Sequence, residues 1–155
     1  MDLREALPPE AICFDLAADT KAQALEILCQ QAARSLRLQT DSIFLAVMER
    51  EKLGSTAVGG GVALPHGKIP NLDRLFMILA RTAPGRELDF DSPDGQPVRI
   101  LALVLSSLTA TSEHLQVLAL LGRLWKTPEN LRLLLSAPDR ETFYNIFMEL
   151  AAINE

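Results

Sequence analysis

An α/β fold, one domain with a mixed β-sheet flanked by α-helices, is what this sequence predicts, and three observations lead to it. Helical periodicity fills residues 20–54 and returns from residue 112 to the end, while the middle of the chain carries short apolar runs between Pro/Gly/Asp-rich turns. At 155 residues and 17.0 kDa the chain is long enough for one core without metal or disulfide staples. A composition 48% hydrophobic but only 5% aromatic describes an aliphatic interior. The expected unit is residues 1–155, with a core at about 10–150.

Residues 1–19 read as an irregular lead-in containing a short strand at 12–16. Thr20 is the expected N-cap of a first helix, along which Ala22, Leu25, Leu28, Cys29, Ala32 and Leu36 recur at helical spacing. A second helix begins near Thr40 or Asp41, turns Ile43, Phe44, Val47 and Met48 inward, and stops at Gly54. Gly59-Gly60-Gly61 permits a tight hairpin with positive φ, and Val62–Leu64 is a short apolar strand leading into Pro65. Residues 75–81 and 99–105 are buried strands by length and apolar content, with a weaker strand at 87–90. Ser112 is the expected cap of a helix with Leu115, Leu118, Leu121 and Trp125 on one face, widened by Val117 and Leu124. Thr127-Pro128 opens a short helix, and Asp139 caps a last one with Phe143, Ile146, Phe147 and Leu150 inward.

A net charge of −5 excludes general nucleic-acid binding, which needs a basic footprint. Cys13 and Cys29 form neither a CxxC pair nor a disulfide framework and read as reduced thiols. No apolar run reaches the roughly 18 residues of a membrane span, and the N-terminus lacks a signal-peptide design, so a soluble cytoplasmic protein without membrane insertion is expected. The glycine triplet is followed by no Gly-Lys-Ser/Thr and lacks GxGxxG spacing, which speaks against nucleotide binding. Two histidines without cysteine or carboxylate at ligand spacing make a poor zinc site, and no GxSxG elbow supports serine hydrolysis. No metal or other cofactor is expected.

The chemistry concentrates between Arg50 and Lys68. His66 stands between Pro65 and Gly67, close in sequence to Arg50, Lys68, Ser55 and Thr56. Guanidinium, ammonium, hydroxyl and glycine N–H groups are what holding a phosphoryl group beside an imidazole requires. Arg50 has no acidic residue at helical spacing, since positions 46, 47, 53 and 54 are uncharged, which frees it to clamp phosphate. His114, in the first turn of a helix, sits where the positive dipole end favours a neutral ring and a nearby anion. Two roles are open to it: bonding the phosphoryl oxygens, or bonding the His66 ring and so choosing its free nitrogen. Apart from this context, either histidine reads as a loop or helix-start residue without a role.

Arg50-Glu-Lys-Leu-Gly-Ser-Thr, Val-Ala-Leu-Pro-His66-Gly-Lys68, Phe90-Asp-Ser-Pro-Asp-Gly-Gln-Pro-Val98 and Glu113-His114-Leu-Gln-Val-Leu carry a resemblance. Together they resemble the enzyme IIA domains of the bacterial phosphotransferase system, fructose/mannitol type, and within it the nitrogen-regulatory branch. The resemblance implies the mannitol-type enzyme IIA fold. It implies His66 as phosphoacceptor, His114 as supporting histidine, and Arg50, Ser55, Thr56 and Lys68 around the phosphate. It further implies an HPr-like histidine-phosphorylated carrier as donor and a regulatory target or transporter component as acceptor. Two departures stand out: Gly60 where a polar residue such as Asn is common, and Ser106-Ser107 in place of a Pro-containing strand end. A sugar-uptake component working with a separate permease, and an anion-binding module that transfers nothing, are the alternative expectations.

Overall fold

Eight consecutive buried residues, Ile100–Ser107, form the strand against which the rest of the chain is laid. Successive residues of a strand face opposite sides, so burial of all eight requires cover on both faces. The computed structural model describes residues 2–155; Met1, where the expected lead-in begins, lies outside them. In chain order the elements are α1 Leu3–Ala6, β1 Ile12–Leu16, α2 Lys21–Leu36, α3 Thr40–Lys52, β2 Ala57–Gly59, β3 Val62–Ala63 and β4 His66–Ile69. There follow β5 Phe76–Thr82, β6 Ile100–Ser107, α4 Thr111–Trp125, α5 Pro128–Leu135 and α6 Arg140–Asn154.

The sheet runs β1-β5-β6-β3-β2, with β4 also beside β6. β1–β5, β3–β6 and β4–β6 are parallel, while β5–β6 and β2–β3 are antiparallel, giving the expected mixed sheet. β3 and β4 are two halves of one line. Val62 pairs with Ile100 and His66 with Val104, so the register carries unbroken through Leu64-Pro65. Only the β3 half is covered by β2, whose turn uses positive φ at Gly59, Gly60 and Gly61. α2 and α3 pack on each other, α2 also on β5 and α3 on β4; α4 lies on β6 and against α6, which reaches β1.

Thr20 and Asp139 cap α2 and α6 through their side chains, accepting from Gln23 N and Thr142 N. Elsewhere the structure corrects the expectations. The lead-in contains α1, capped by Asp2. Residues 87–90 form no strand, only an isolated bridge between Leu88 and Val98. His66 opens a strand instead of sitting in a loop. α4 starts at Thr111 without a side-chain cap, so Ser112 lies inside the helix. Its inward face is His114, Val117, Leu120, Leu121 and Leu124, and Leu115 is 60% exposed. An apolar-only pattern misreads that face because its first member is an imidazole.

Candidate functional site

α3 fixes one wall of the site. Its inward stripe, Ile43, Val47 and Glu51, seats the helix over β4, and the approach is close because the strand residue beneath is Gly67. A Cβ on Gly67 would lie 3.4 Å from the backbone of Ala46 and Val47 and from a Val47 methyl. That closeness brings Arg50, one turn further along α3, to the mouth of β4. Its Nη1 donates to the Gly54 carbonyl at 2.8 Å, and among the described residues Arg50 forms no ion pair.

His66 is half-buried, and its Nδ1 lies 2.8 Å from the carbonyl oxygen of Leu64. A carbonyl only accepts, so in the neutral ring Nδ1 carries the proton and Nε2 keeps the lone pair. The ring is held neutral: burial, first, and then the charge of Arg50 lower its pKa, against opposing contributions from the Leu64 bond and Glu51. Leu64 can serve because its N–H goes to Thr56 O and its carbonyl lies past the end of β2.

α4 brings the second imidazole across. The rings of His66 and His114 meet edge to face with centroids 5.2 Å apart. His114 is only 6% exposed, and its Nδ1 lies 2.8 Å from Ser106 Oγ at the end of β6. Burial, with the neighbouring His66 and Lys68, lowers its pKa to about 4, so it too is neutral near pH 7. Lys68 donates to Thr111 Oγ1 at 3.1 Å, tying β4 to the first turn of α4. His66, His114, Arg50 and Lys68 thus line one open cavity of about 380 Å³, with Leu53 and Glu49 at its rim. A larger cavity of about 490 Å³ beside Trp125 and Asp94 contains no imidazole.

The hydroxyls of Ser55 and Thr56 are not turned to this cavity, contrary to the expectation that they meet a phosphate. Ser55 Oγ donates to Phe90 O and accepts from Ala57 N. Thr56 gives both its N–H and its hydroxyl to the buried carboxylate of Glu51. Nor does His114 bond the His66 ring among the described residues; the choice of free nitrogen falls to Leu64 instead.

Sequence reasoning missed Glu51, Leu64 and Ser106. Glu51 could have been found, because it continues the Ile43–Val47 stripe at helical spacing and a carboxylate there needs partners. It has them in Thr56 and in Lys21 Nζ at 2.7 Å. Ser106 is the first hydroxyl after six apolar residues of a buried strand, a weaker signal. Among the described residues no group of three His, Cys, Asp or Glu is placed to hold a metal ion, and no helix is long and apolar enough to cross a membrane.

Comparison with known proteins follows the same lines. Residues 5–150 match the family described as phosphoenolpyruvate-dependent sugar phosphotransferase system, EIIA 2. The chain is 38% identical over 146 residues to a nitrogen regulatory protein of Bradyrhizobium diazoefficiens, covering 94% of each. Nitrogen regulatory protein IIA-Ntr from Neisseria meningitidis superposes with a TM-score of 0.84 at 31% identity, covering 99% of both chains. The complex of enzyme IIAMTL and phosphorylated enzyme IIBMTL from Escherichia coli gives a TM-score of 0.73 at 19% identity over 92% of this chain and 94% of that one, a likeness of fold alone.

Proposed function

The chain belongs to the phosphotransferase-system EIIA 2 family, and from that premise we propose that it accepts a phosphoryl group on His66 Nε2 from a histidine-phosphorylated carrier and uses it chiefly as a regulatory signal. The observation that carries this reading is the free Nε2 of a neutral His66, in a cavity shared with a second imidazole and two cations. The Nε2 lone pair attacks phosphorus. The P–N bond to the donor ring breaks, and its electron pair stays on the donor nitrogen. Nδ1–H remains on Leu64 O throughout.

Arg50 and Lys68 offset the charge of the transferring oxygens, and His114 supports them as a neutral donor. Ser55 and Thr56 act one step removed, holding the loop after α3 in place. The whole of residues 1–155 is read as a single enzyme IIA unit. Regulation is favoured over sugar uptake by the nitrogen regulatory proteins among the relatives. The phosphoryl group itself brings about −1.5 to −2 charges to this mouth, partly offset by the imidazolium formed while Nδ1 keeps its proton, and the change alters which partner docks there.

Intact-mass measurement after incubation with phosphoenolpyruvate and the general phosphotransferase components tests the reading. One phosphate is expected, acid-labile and mapped to His66, with none on His66→Ala. Equal labelling of His66→Ala refutes it.

A further inference from the structure

His66 owes its tautomer to a backbone carbonyl; His114 needs one too, of the opposite sense. To support a phosphoryl group it must present an N–H, and a neutral imidazole has only one. Nδ1 of His114 is engaged with Ser106 Oγ at 2.8 Å. Ser106 is fully buried, and among the described residues its hydroxyl makes this hydrogen bond and no other. A hydroxyl can donate or accept, but a buried O–H proton needs an acceptor, and Nδ1 is the acceptor within reach.

We infer that Ser106 is a positioning residue for phosphoryl transfer: its O–H donates to Nδ1 of His114, which keeps the ring proton on Nε2 and leaves that nitrogen free to donate to the phosphoryl oxygens. The two imidazoles are thereby set in complementary states. His66 is protonated at Nδ1 with a lone pair at Nε2, and His114 is protonated at Nε2 with a lone pair at Nδ1. The first is fixed by an oxygen that only accepts, the second by an oxygen that donates. The neutral charge state of His114 is consistent with this, since burial beside His66 and Lys68 disfavours a second ring proton. Ser106 also anchors the ring from the end of β6, one of the two strands whose pairing places His66. The inference rests on the proposed role of His66, but the tautomer is a property of the unphosphorylated protein and can be read by itself.

The test has two arms. Nitrogen-15 NMR of the histidine side chains in the unphosphorylated full chain is expected to show His114 protonated at Nε2 with a hydrogen-bonded, unprotonated Nδ1. A proton on Nδ1 overturns the inference. In the second arm, Ser106→Ala removes one oxygen without adding bulk. It is expected to slow phosphoryl acceptance from the phosphorylated carrier about tenfold, and to add no further loss in a His114→Ala background, because Ser106 acts through that ring. Wild-type speed in Ser106→Ala, or an equal loss in the His114→Ala background, overturns it. If the wild-type protein takes no phosphate on His66, the proposed function fails while the NMR arm still decides the tautomer.

Discussion

In the proposed reaction the ring of His66 serves only while neutral, and its pH dependence follows from the burial that lowers its pKa below the ordinary 6.5. Phosphoryl acceptance is expected to decline as pH falls, with its midpoint below about 6.5, as the lone pair at Nε2 is lost to a proton. A pH–rate profile with its midpoint above 6.5 would contradict this. His114 supplies the matching stability effect. Its folded pKa is about 4 against 6.5 for the free side chain. Between those values the unfolded chain binds the extra proton, so this contribution is complete above pH 6.5 and falls by roughly 3 kcal/mol on the way to pH 4. Denaturant titrations across that window should show a shallower slope for His114→Gln than for wild type. Both imidazoles and both cations are legible in the sequence because their chemistry resides in side chains set in specific motifs. Leu64 is not, since what matters is the direction of its carbonyl at the end of β2. Ser106 is not, since a serine shows a donor but never its recipient.

Among elements, the contact of α3 on β4 does most to build the cavity, and it depends on a missing side chain. Gly67→Ala would place a methyl 3.4 Å from the α3 backbone, at the tight edge of van der Waals contact, so the helix is pressed outward by a few tenths of an ångström at most. A loss of up to about 1 kcal/mol in stability is expected, together with a slower His66 reaction as Arg50 shifts at the mouth. Equilibrium unfolding and the phosphorylation assay check the two effects separately, and unchanged values in both would refute this account of Gly67. Element existence was largely legible, from capping at Thr20 and Asp139 to the apolar runs that became β5 and β6. What escaped were short pieces whose structure is set by neighbours. β4 is a strand because β6 lies beside it in register, and its sequence, His-Gly-Lys-Ile, has little strand character of its own. The misread face of α4 has the complementary cause: an imidazole took a core position.

On the scale of the molecule, Glu51 links parts distant in sequence. Its carboxylate joins the end of α3 to Lys21 at the start of α2 and to Thr56 before β2, almost wholly out of solvent. Glu51→Ala leaves the Thr56 N–H and its hydroxyl without their acceptor, and leaves the Lys21 ammonium only the more distant, exposed carboxylate of Asp91 at 3.8 Å. About 3 kcal/mol of stability should be lost, a fall in Tm of roughly 6–12 °C. A thermal melt within 2 °C of wild type, well short of that range, would show the network to be dispensable. A chain of net charge −5 also keeps Arg50 and Lys68 together at one opening, so the local field there opposes the global one. Leu64 carries a last implication, one about inheritance. The atom that chooses the free nitrogen of His66, the one proposed to react, belongs to the main chain, and every amino acid at position 64 would bring the same oxygen. Drift among descendants can therefore weaken the cations or silence the second ring, yet it cannot redirect attack to the other nitrogen without rerouting the polypeptide itself.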